Sequence, residues 1–475
     1  MIRHTTGRAF VAVLAAGALV AACGGDDGTA TETTADTETT AGGETTTAET
    51  EPVTTESTPT SDGEETTVPP TEPAPTGWTV NTDDCVDPDA ANAPIEGTIK
   101  LGSVMPLSNS PAAAAFAPVK DGLDAYIKYA NDNDLLNGVK IELTVEDDEY
   151  NKDLTPTAVT KLSDAGTHVI TGIIGSPNNA AVRDTLNDNC IPQLLALTGS
   201  PAWGEIADYP WTMGALVPYT VESQIYATQI GKDFPDGAKV ALFHVANEFG
   251  EIYAQAFKDI ADDFGIEIVD EQTIEAADQA PPVSQVTSIA AKKPDVVMAI
   301  PLGAGCIGFL TEMAAAKTAD PSWQPATYLT NTCASGLILG AAGPAANGLI
   351  TSTNNLDVLD PANAENPAVV TYLGELEKAG KVDVAPTAVA GWNVGEITVA
   401  ILQQAMASPD GLTQASIINA SRNFTFTPGL SRPGVELKLS GEDDVFLAES
   451  LQVITYDATS GTFSDIGELI TDYES

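Results

Sequence analysis

From residue 98 to residue 300, short apolar runs alternate with stretches whose apolar residues recur at helical spacing, and this alternation restricts the fold more than any other feature. Thr98–Met105 is an apolar run and Phe116–Tyr129 a helical stretch. Val139, Ile141, Leu143 and Val145 alternate with Lys140, Glu142 and Thr144, the period-two pattern of a strand with one wetter face. Asp153-Leu154-Thr155-Pro156 opens a helix reaching about Ala165; His168–Ile174 reads as a strand, Asn179–Asn187 as a helix and Ile191–Ala196 as a strand. The pattern restarts with a strand at Lys239–His244, a helix at Ile252–Phe264, a strand at Ile266–Val269, a helix at Val283–Ala291 and a strand at Asp295–Ile300. Cys306–Ala316 is helical, Ala326–Leu329 and Gly348–Thr351 are extended, and helices follow at Ala368–Lys378, Glu396–Met406 and near Leu412–Ala420. Val435–Tyr456 reads as extended segments joined by turns. Strands and helices joined this closely predict an α/β chain of two lobes, each a doubly wound parallel sheet covered on both faces.

The first residues carry a different message. Arg3, His4 and Arg8 precede an alanine-rich apolar run, Ala9–Ala22, long enough for a signal peptide and short for a membrane span. The sequence Val20-Ala21-Ala22-Cys23-Gly24 resembles the bacterial lipobox, which implies removal of residues 1–22 and diacylation of Cys23. The alternative is an ordinary secretory signal with an incidental cysteine. Residues 23–96 then read as a lipid-anchored disordered linker, because Thr, Glu, Asp, Pro and Gly dominate as far as Pro75 and offer little to bury. The expected location is the extracytoplasmic face of the cell membrane, with acyl chains as the anchor.

Charge excludes several functions. Acidic residues outnumber basic ones 67 to 20, for a net charge of -47, and residues 97–475 alone hold 49 acidic against 18 basic side chains. Such a surface repels phosphodiester backbones, so nucleic acid is not an expected partner. With only His4, His168 and His244 there is no imidazole cluster, and the latter two read as structural. There is no G-x-S-x-G elbow, phosphate loop or HExxH, so no catalytic residue, cofactor or metal is expected and the chain is not read as an enzyme. Glu146-Asp147-Asp148-Glu149 lacks EF-hand spacing and reads as a solvated turn. Cys85, Cys190, Cys306 and Cys333 allow three pairings in an exported protein, and their positions favour Cys85–Cys190 and Cys306–Cys333 over four buried thiols.

The segments IKLGSVMPLS, GLDAYIKYAND, NGVKIELTVEDDEYNKD, VITGIIGSPNNAAV, IPQLLALTGSP, KVALFHVANEFGEIYAQAFK and PDVVMAI, in that order, resemble the type I periplasmic binding proteins, closest to the leucine/isoleucine/valine-binding branch that serves ABC importers. The resemblance covers Ile99 to Tyr456 and implies three crossovers, with lobe 1 at 97–218 plus 346–430 and lobe 2 at 219–345 plus 431–475. It also implies a monomeric extracytoplasmic solute-binding subunit for an amino acid, branched-chain or related, or a similar small polar solute, with a membrane permease as partner. A ligand sensor for a membrane receptor and a surface or adhesion lipoprotein with a vestigial cleft are the alternatives. Parallel sheets place solutes beyond the carboxyl ends of strands, at helix N-termini. Ser176 and Pro177 fall there, with Ser176 also readable as an N-cap; Thr198 and Ser200 match the family's hydroxyl clamp, Trp203 could wall the cleft, and Ser108 lies in the cleft-edge turn. Phe249 stands where amino-acid binders often have a tyrosine, and Gly305 adds a small residue at the rim. The family's ammonium-pairing acid is replaced by neutral Thr330, Asn331 and Thr332, while Glu222 and Glu248 read as surface charges.

Overall fold

The computed structural model describes residues 77–278 and 280–471. The signal sequence, Cys23 and the tether to residue 76 lie outside the described residues. The end of the expected linker, from 77 to 96, is folded. Helix α1 (Pro88–Asn92) starts at the Asp87 cap, and the Cys85–Cys190 disulfide ties this segment to the first lobe. The Trp78 and Val80 N–H groups donate to the side chains of Asn423 and Asn419, at 3.1 and 2.7 Å. The linker reading ran too far because these partners lie more than 300 residues away in sequence.

The first lobe is built from β1 (Thr98–Met105), α2 (Ala113–Asp132), β2 (Lys140–Asp147), α3 (Thr155–Asp164), β3 (Val169–Thr171), α4 (Ser176–Asp188), β4 (Gln193–Ala196) and β5 (Thr212–Gly214). These strands form a five-stranded sheet ordered β2-β1-β3-β4-β5, with every pair parallel. β1 shows how period two builds both layers. Ile99, Leu101 and Met105 enter the core shared with α2, while Val104 points to the opposite core with Ile170, Val159 and Leu186 beneath α3 and α4.

The second lobe follows with α5 (Tyr219–Asp233), β6 (Ala238–Val245), α6 (Glu248–Ala261), β7 (Ile266–Ile274), α7 (Val283–Lys292), β8 (Val296–Ile300), α8 (Ala304–Ala319), β9 (Ala326–Leu329), α9 (Gly336–Ala342) and β10 (Ile350–Thr353). The chain then adds α10 (Pro367–Ala379), α11 (Ala385–Met406), α12 (Gln414–Arg422) and a hairpin of β11 (Asn423–Phe426) and β12 (Leu437–Ser440) to the first lobe. It ends with β13 (Gln452–Asp457) and β14 (Thr462–Asp465) in the second. The second sheet is ordered β14-β13-β10-β9-β8-β6-β7; its last five strands are parallel, and β13 and β14 run antiparallel at the edge. Val240, Leu242 and Met298 face α5 and α6, whereas Ala241, Phe243 and Val297 face α7 and α8.

Three crossings join the lobes, and two differ from the sequence reading. β10 pairs with β9 and β13, so the second crossing comes at 354–356, not 346. β12 pairs with β11 on the first lobe, so the third comes between β12 and β13, not at 431. Periodicity could not locate these points, because sheet membership is decided by long-range pairing. Among the described residues no helix is long and apolar enough to cross a membrane.

Candidate functional site

The carboxyl ends of the parallel strands in both sheets open onto one cavity of about 190 Å3. That is room for several waters or a small solute. The first lobe supplies Ala115, Phe116 and Val119 of α2, Tyr150, the segment Ile174–Ser176, and Pro386, Thr387, Val389 and Ala390 of α11. The second supplies Tyr219, Phe249, Leu302, Asn331, Thr332, Ser335 and Ile338. Apolar side chains and four aromatic rings predominate, with Tyr219 and Phe249 edge to face at 5.5 Å. Among the described residues no Asp, Glu, Lys, Arg or His side chain belongs to the lining. The early turns of α2, α4, α6 and α11 all reach it, so the positive ends of four helix dipoles converge there.

Hydroxyls provide the polar contacts. Ser176 is the first residue of α4, and its Oγ lies 2.7 Å from Thr198 Oγ1 and 3.0 Å from Tyr219 Oη. The N-cap is Gly175 rather than Ser176, which leaves the serine hydroxyl free for this cluster. Gly175 has φ +104°, and a Cβ there would stand 2.6 Å from the Tyr150 ring, so both backbone conformation and space require glycine. Across the cavity, Ser335 Oγ and Thr387 Oγ1 are 2.7 Å apart and tie α11 of the first lobe to the start of α9.

The other expected site residues divide. Ser176, Phe249 and Asn331 line the cavity, and Thr198 backs it through Ser176. Thr330 is buried with its Oγ1 on Thr332 Oγ1 at 2.7 Å, so Thr332 takes the place expected of it. Pro177 faces an outer groove between the lobes, beside Lys152, Asp153 and Glu248. Ser200 and Trp203 are not part of the lining: residues 201–204 turn back onto β5, and Trp203 is buried beneath the Arg183 guanidinium, 4.8 Å from its ring centroid. Ser108 Oγ donates to Asp147 at 2.5 Å and fastens the cleft-edge loop instead of reaching inward. Gly305 sits in the first turn of α8, facing Pro301. The Cys306–Cys333 disulfide joins that turn to the segment carrying Asn331 and Thr332. Both disulfides thus follow the favoured pairing.

Three acidic readings change. Asp148 is fully buried rather than solvated, and it accepts from Thr155 Oγ1 at 2.9 Å, Asn178 Nδ2 at 2.8 Å and the Tyr150 N–H at 3.1 Å. Burial raises its carboxyl above the usual range, while these donors oppose that shift. Glu222 is likewise buried inside the second lobe, and Glu248 is half-buried at the outer groove. The described residues contain no cluster able to hold a metal ion. His168 accepts the Lys100 N–H at 3.0 Å, and His244 lies 3.0 Å from Glu271, so both are structural.

Two sources of the lining escaped the sequence reading. α5, which carries Tyr219, went unread although Val221, Ile225, Tyr226 and Ile230 are helically spaced behind Pro218. α11 begins eleven residues before Glu396, and Pro386 in its first turn is a start signal.

A match to the periplasmic binding protein family spans residues 98–453. A branched-chain amino acid ABC transporter protein from Thermus thermophilus, solved with bound valine, has 18% sequence identity and a TM-score of 0.70, covering 79% of this chain and 97% of that one. A solute-binding protein from R. palustris in complex with benzoate gives 21%, 0.66, 79% and 98% for the same quantities. A fatty acid ABC transporter substrate-binding protein from Thermomonospora curvata gives 20%, 0.66, 80% and 93%. No curated protein sequence matches at a significant level. Identities this low carry the fold, whereas the family match covers about three quarters of the sequence, from β1 into β13, and includes the residues that line the cavity. The chain belongs to the periplasmic binding protein family, with the type I architecture.

Proposed function

We propose that the protein is the extracytoplasmic solute receptor of an ABC importer, held at the membrane through Cys23, and that it captures a small solute with an apolar body and one anionic end. The observation that carries this reading is the cavity lining: aromatic and aliphatic side chains, a hydroxyl cluster at the start of α4, and no charged side chain. An apolar body gains about 25 cal/mol for each Å2 withdrawn from water. A carboxylate is favoured at helix N-termini and by hydroxyl donors. A free ammonium group has no carboxylate in the lining to pair with, which ranks aryl and alkyl carboxylates ahead of leucine, isoleucine and valine. The neighbours solved with valine and benzoate mark the two sides of that choice.

Titration calorimetry of the mature protein carrying Cys23→Ala, against benzoate, 4-hydroxybenzoate, valine, leucine and a medium-chain fatty acid, tests the reading. Saturable binding of a carboxylate at least tenfold tighter than of valine is expected. Tighter binding of the amino acids would overturn the preference, and no saturable binding across the panel would overturn the receptor reading for these solute classes.

A further inference from the structure

Glu222 lies in the first turn of α5, just after the first crossing, and is 1% exposed. Its Oε1 accepts from Tyr226 Oη at 2.9 Å, the Asn331 N–H at 2.8 Å and Ser352 Oγ at 3.1 Å. These partners come from three places: α5 itself, the segment lining the cavity, and the strand β10 that runs into the second crossing. The titratable groups facing it are Tyr219 and Tyr226 on α5 and Tyr253 on α6; Tyr328 on β9, bonded to Asp233, packs against Tyr226, and residues 330–333 and β10 add no charged side chain. No cation is among its partners, and burial pushes its carboxyl up to about 7, against the hydrogen bonds from Asn331, Tyr226 and Ser352.

The network has a place for a proton. Tyr226 Oη carries one hydrogen and also lies 2.9 Å from Leu329 O and from Ser352 Oγ. An ionised Glu222 takes the tyrosine hydrogen. A protonated Glu222 can donate to Tyr226 Oη instead, freeing Tyr226 to donate to Leu329 O. In either state the Glu222 carboxyl and the Tyr226 hydroxyl stay hydrogen-bonded to each other.

We infer that Glu222 is a proton-linked positioning residue of the solute site, taking up a proton when an anionic solute binds in the cavity that Tyr219 and Asn331 line and loosening that solute when it ionises. The inference rests on the anionic-solute reading above. A solute charge at the hydroxyl cluster stands beside Tyr219, whose hydroxyl feels the Glu222 charge, and Glu222 also holds the N–H of the lining residue Asn331; in this region of low dielectric two like charges disfavour each other. By reciprocity, the solute raises the proton affinity of Glu222 by the factor through which the proton raises solute affinity.

Two measurements test it. In the solute-free protein, unfolding midpoints are compared from pH 5 to 8.5 for the wild type and Glu222→Gln. A carboxyl whose folded value is raised stabilises the fold at low pH and loses that contribution as pH rises through about 7, so the wild type should fall relative to the glutamine variant across that range. Ser352→Ala, which removes one donor but keeps the acid, should move the fall to higher pH and serves if the glutamine variant does not fold. Calorimetry with benzoate, in two buffers of different ionisation heat at pH 7, should then show net proton uptake. Wild-type affinity should be about tenfold weaker at pH 8.5 than at pH 5.5, as for a solute that raises the proton affinity of Glu222 about tenfold, and flat in Glu222→Gln. A wild-type-minus-variant difference that does not change with pH overturns the inference, as does benzoate binding without proton uptake. If benzoate does not bind, the solute coupling falls with the reading it rests on, and the solute-free comparison still decides whether Glu222 titrates.

Discussion

Helices α2 and α11 both wall the cavity, and they cross so closely that two glycines meet backbone. A Cβ on Gly391 would stand 1.7 Å from Val119 O and 2.8 Å from Leu123 N, and one on Gly122 would stand 1.8 Å from Ala388 O. Backbone atoms inside helices cannot rotate away, so Gly391→Ala must part the helices by more than ~1 Å in an interior packed like a crystal. The Tyr126–Trp392 pair, edge to face at 4.9 Å, bridges the same crossing and opens with it. Overpacking costs typically 1–3 kcal/mol, the disturbed aromatic pair adds ~0.5–1.5, and the better helix propensity of alanine returns ~1. The net expectation is a loss of about 2 kcal/mol.

Urea unfolding followed by circular dichroism, with both disulfides oxidised, measures it. Gly374→Ala in α10 is the control, because a Cβ there meets nothing within 4 Å; it should gain ~0.5–1 kcal/mol from the lost freedom of the unfolded chain. Gly122→Ala should cost about as much as Gly391→Ala, and the double variant less than the sum, since the first alanine already opens the crossing. Val119, Val389 and Ala390 line the cavity, so the same variants should also weaken solute binding. A Gly391→Ala protein within ~0.5 kcal/mol of wild type, the usual range for surface substitutions, would refute the rigid-crossing argument.

Asp148→Ala should cost about 2–3 kcal/mol in the same assay, because Thr155, Asn178 and the Tyr150 N–H would each lose a charged acceptor in a buried site. Replacing Cys306 and Cys333 by serine removes a clip closing 27 residues, worth up to about 3.5 kcal/mol by loop entropy, and frees the segment carrying Asn331. Solute affinity should therefore fall in that variant and hold within twofold when Cys85 and Cys190 are replaced, as calorimetry would read. Gly303 has φ +56° and would place a Cβ 2.8 Å from Pro111 O in the opposite lobe, outside the cavity lining. Gly303→Ala should prop the lobes apart and weaken every bound solute by the same factor, about fivefold for ~1 kcal/mol; unequal factors would refute a role in closure.

The elements with strict periodicity were legible. β1 falls on Thr98–Met105 as expected, because a strand that serves two cores is apolar on both faces and reads as a short apolar run. The elements that escaped are those whose identity depends on distant partners. β5 is only three residues long and exists by pairing with β4; residues 77–96 are held by Asn419, Asn423 and Cys190. The acidic residues were misread for a related reason. Composition makes surface charge the default for a glutamate, and nothing near Glu222 in sequence announces that Asn331 and Ser352 converge on it. Ser176 was legible because a glycine-serine-proline turn after a strand fixes a helix start, whereas Trp203 failed because a loop tryptophan carries no direction of its own.

The cleft is also tied by the chain itself. Ser335 Oγ meets Thr387 Oγ1 at 2.7 Å, the Ala304 N–H donates to Pro111 O at 3.2 Å, and Tyr219 Oη meets Ser176 Oγ at 3.0 Å, each joining one lobe to the other. None of these contacts requires an atom of the solute. At ~1 kcal/mol net for each hydrogen bond, together they favour closure by roughly a hundredfold. A solute shifts the lobes only by its difference in affinity for the two arrangements, so measured affinity contains a closure factor belonging to the protein and an intrinsic factor belonging to the solute. Substitutions at the Ala304–Pro111 tie, outside the cavity lining, scale affinity for every solute alike, whereas substitutions among Asn331, Phe249 and Tyr150 change which solute is preferred. Glu222 belongs to both groups, since its hydrogen bonds join β10 at the second crossing to the segment that faces the solute. That position lets one buried proton act on closure and on recognition together.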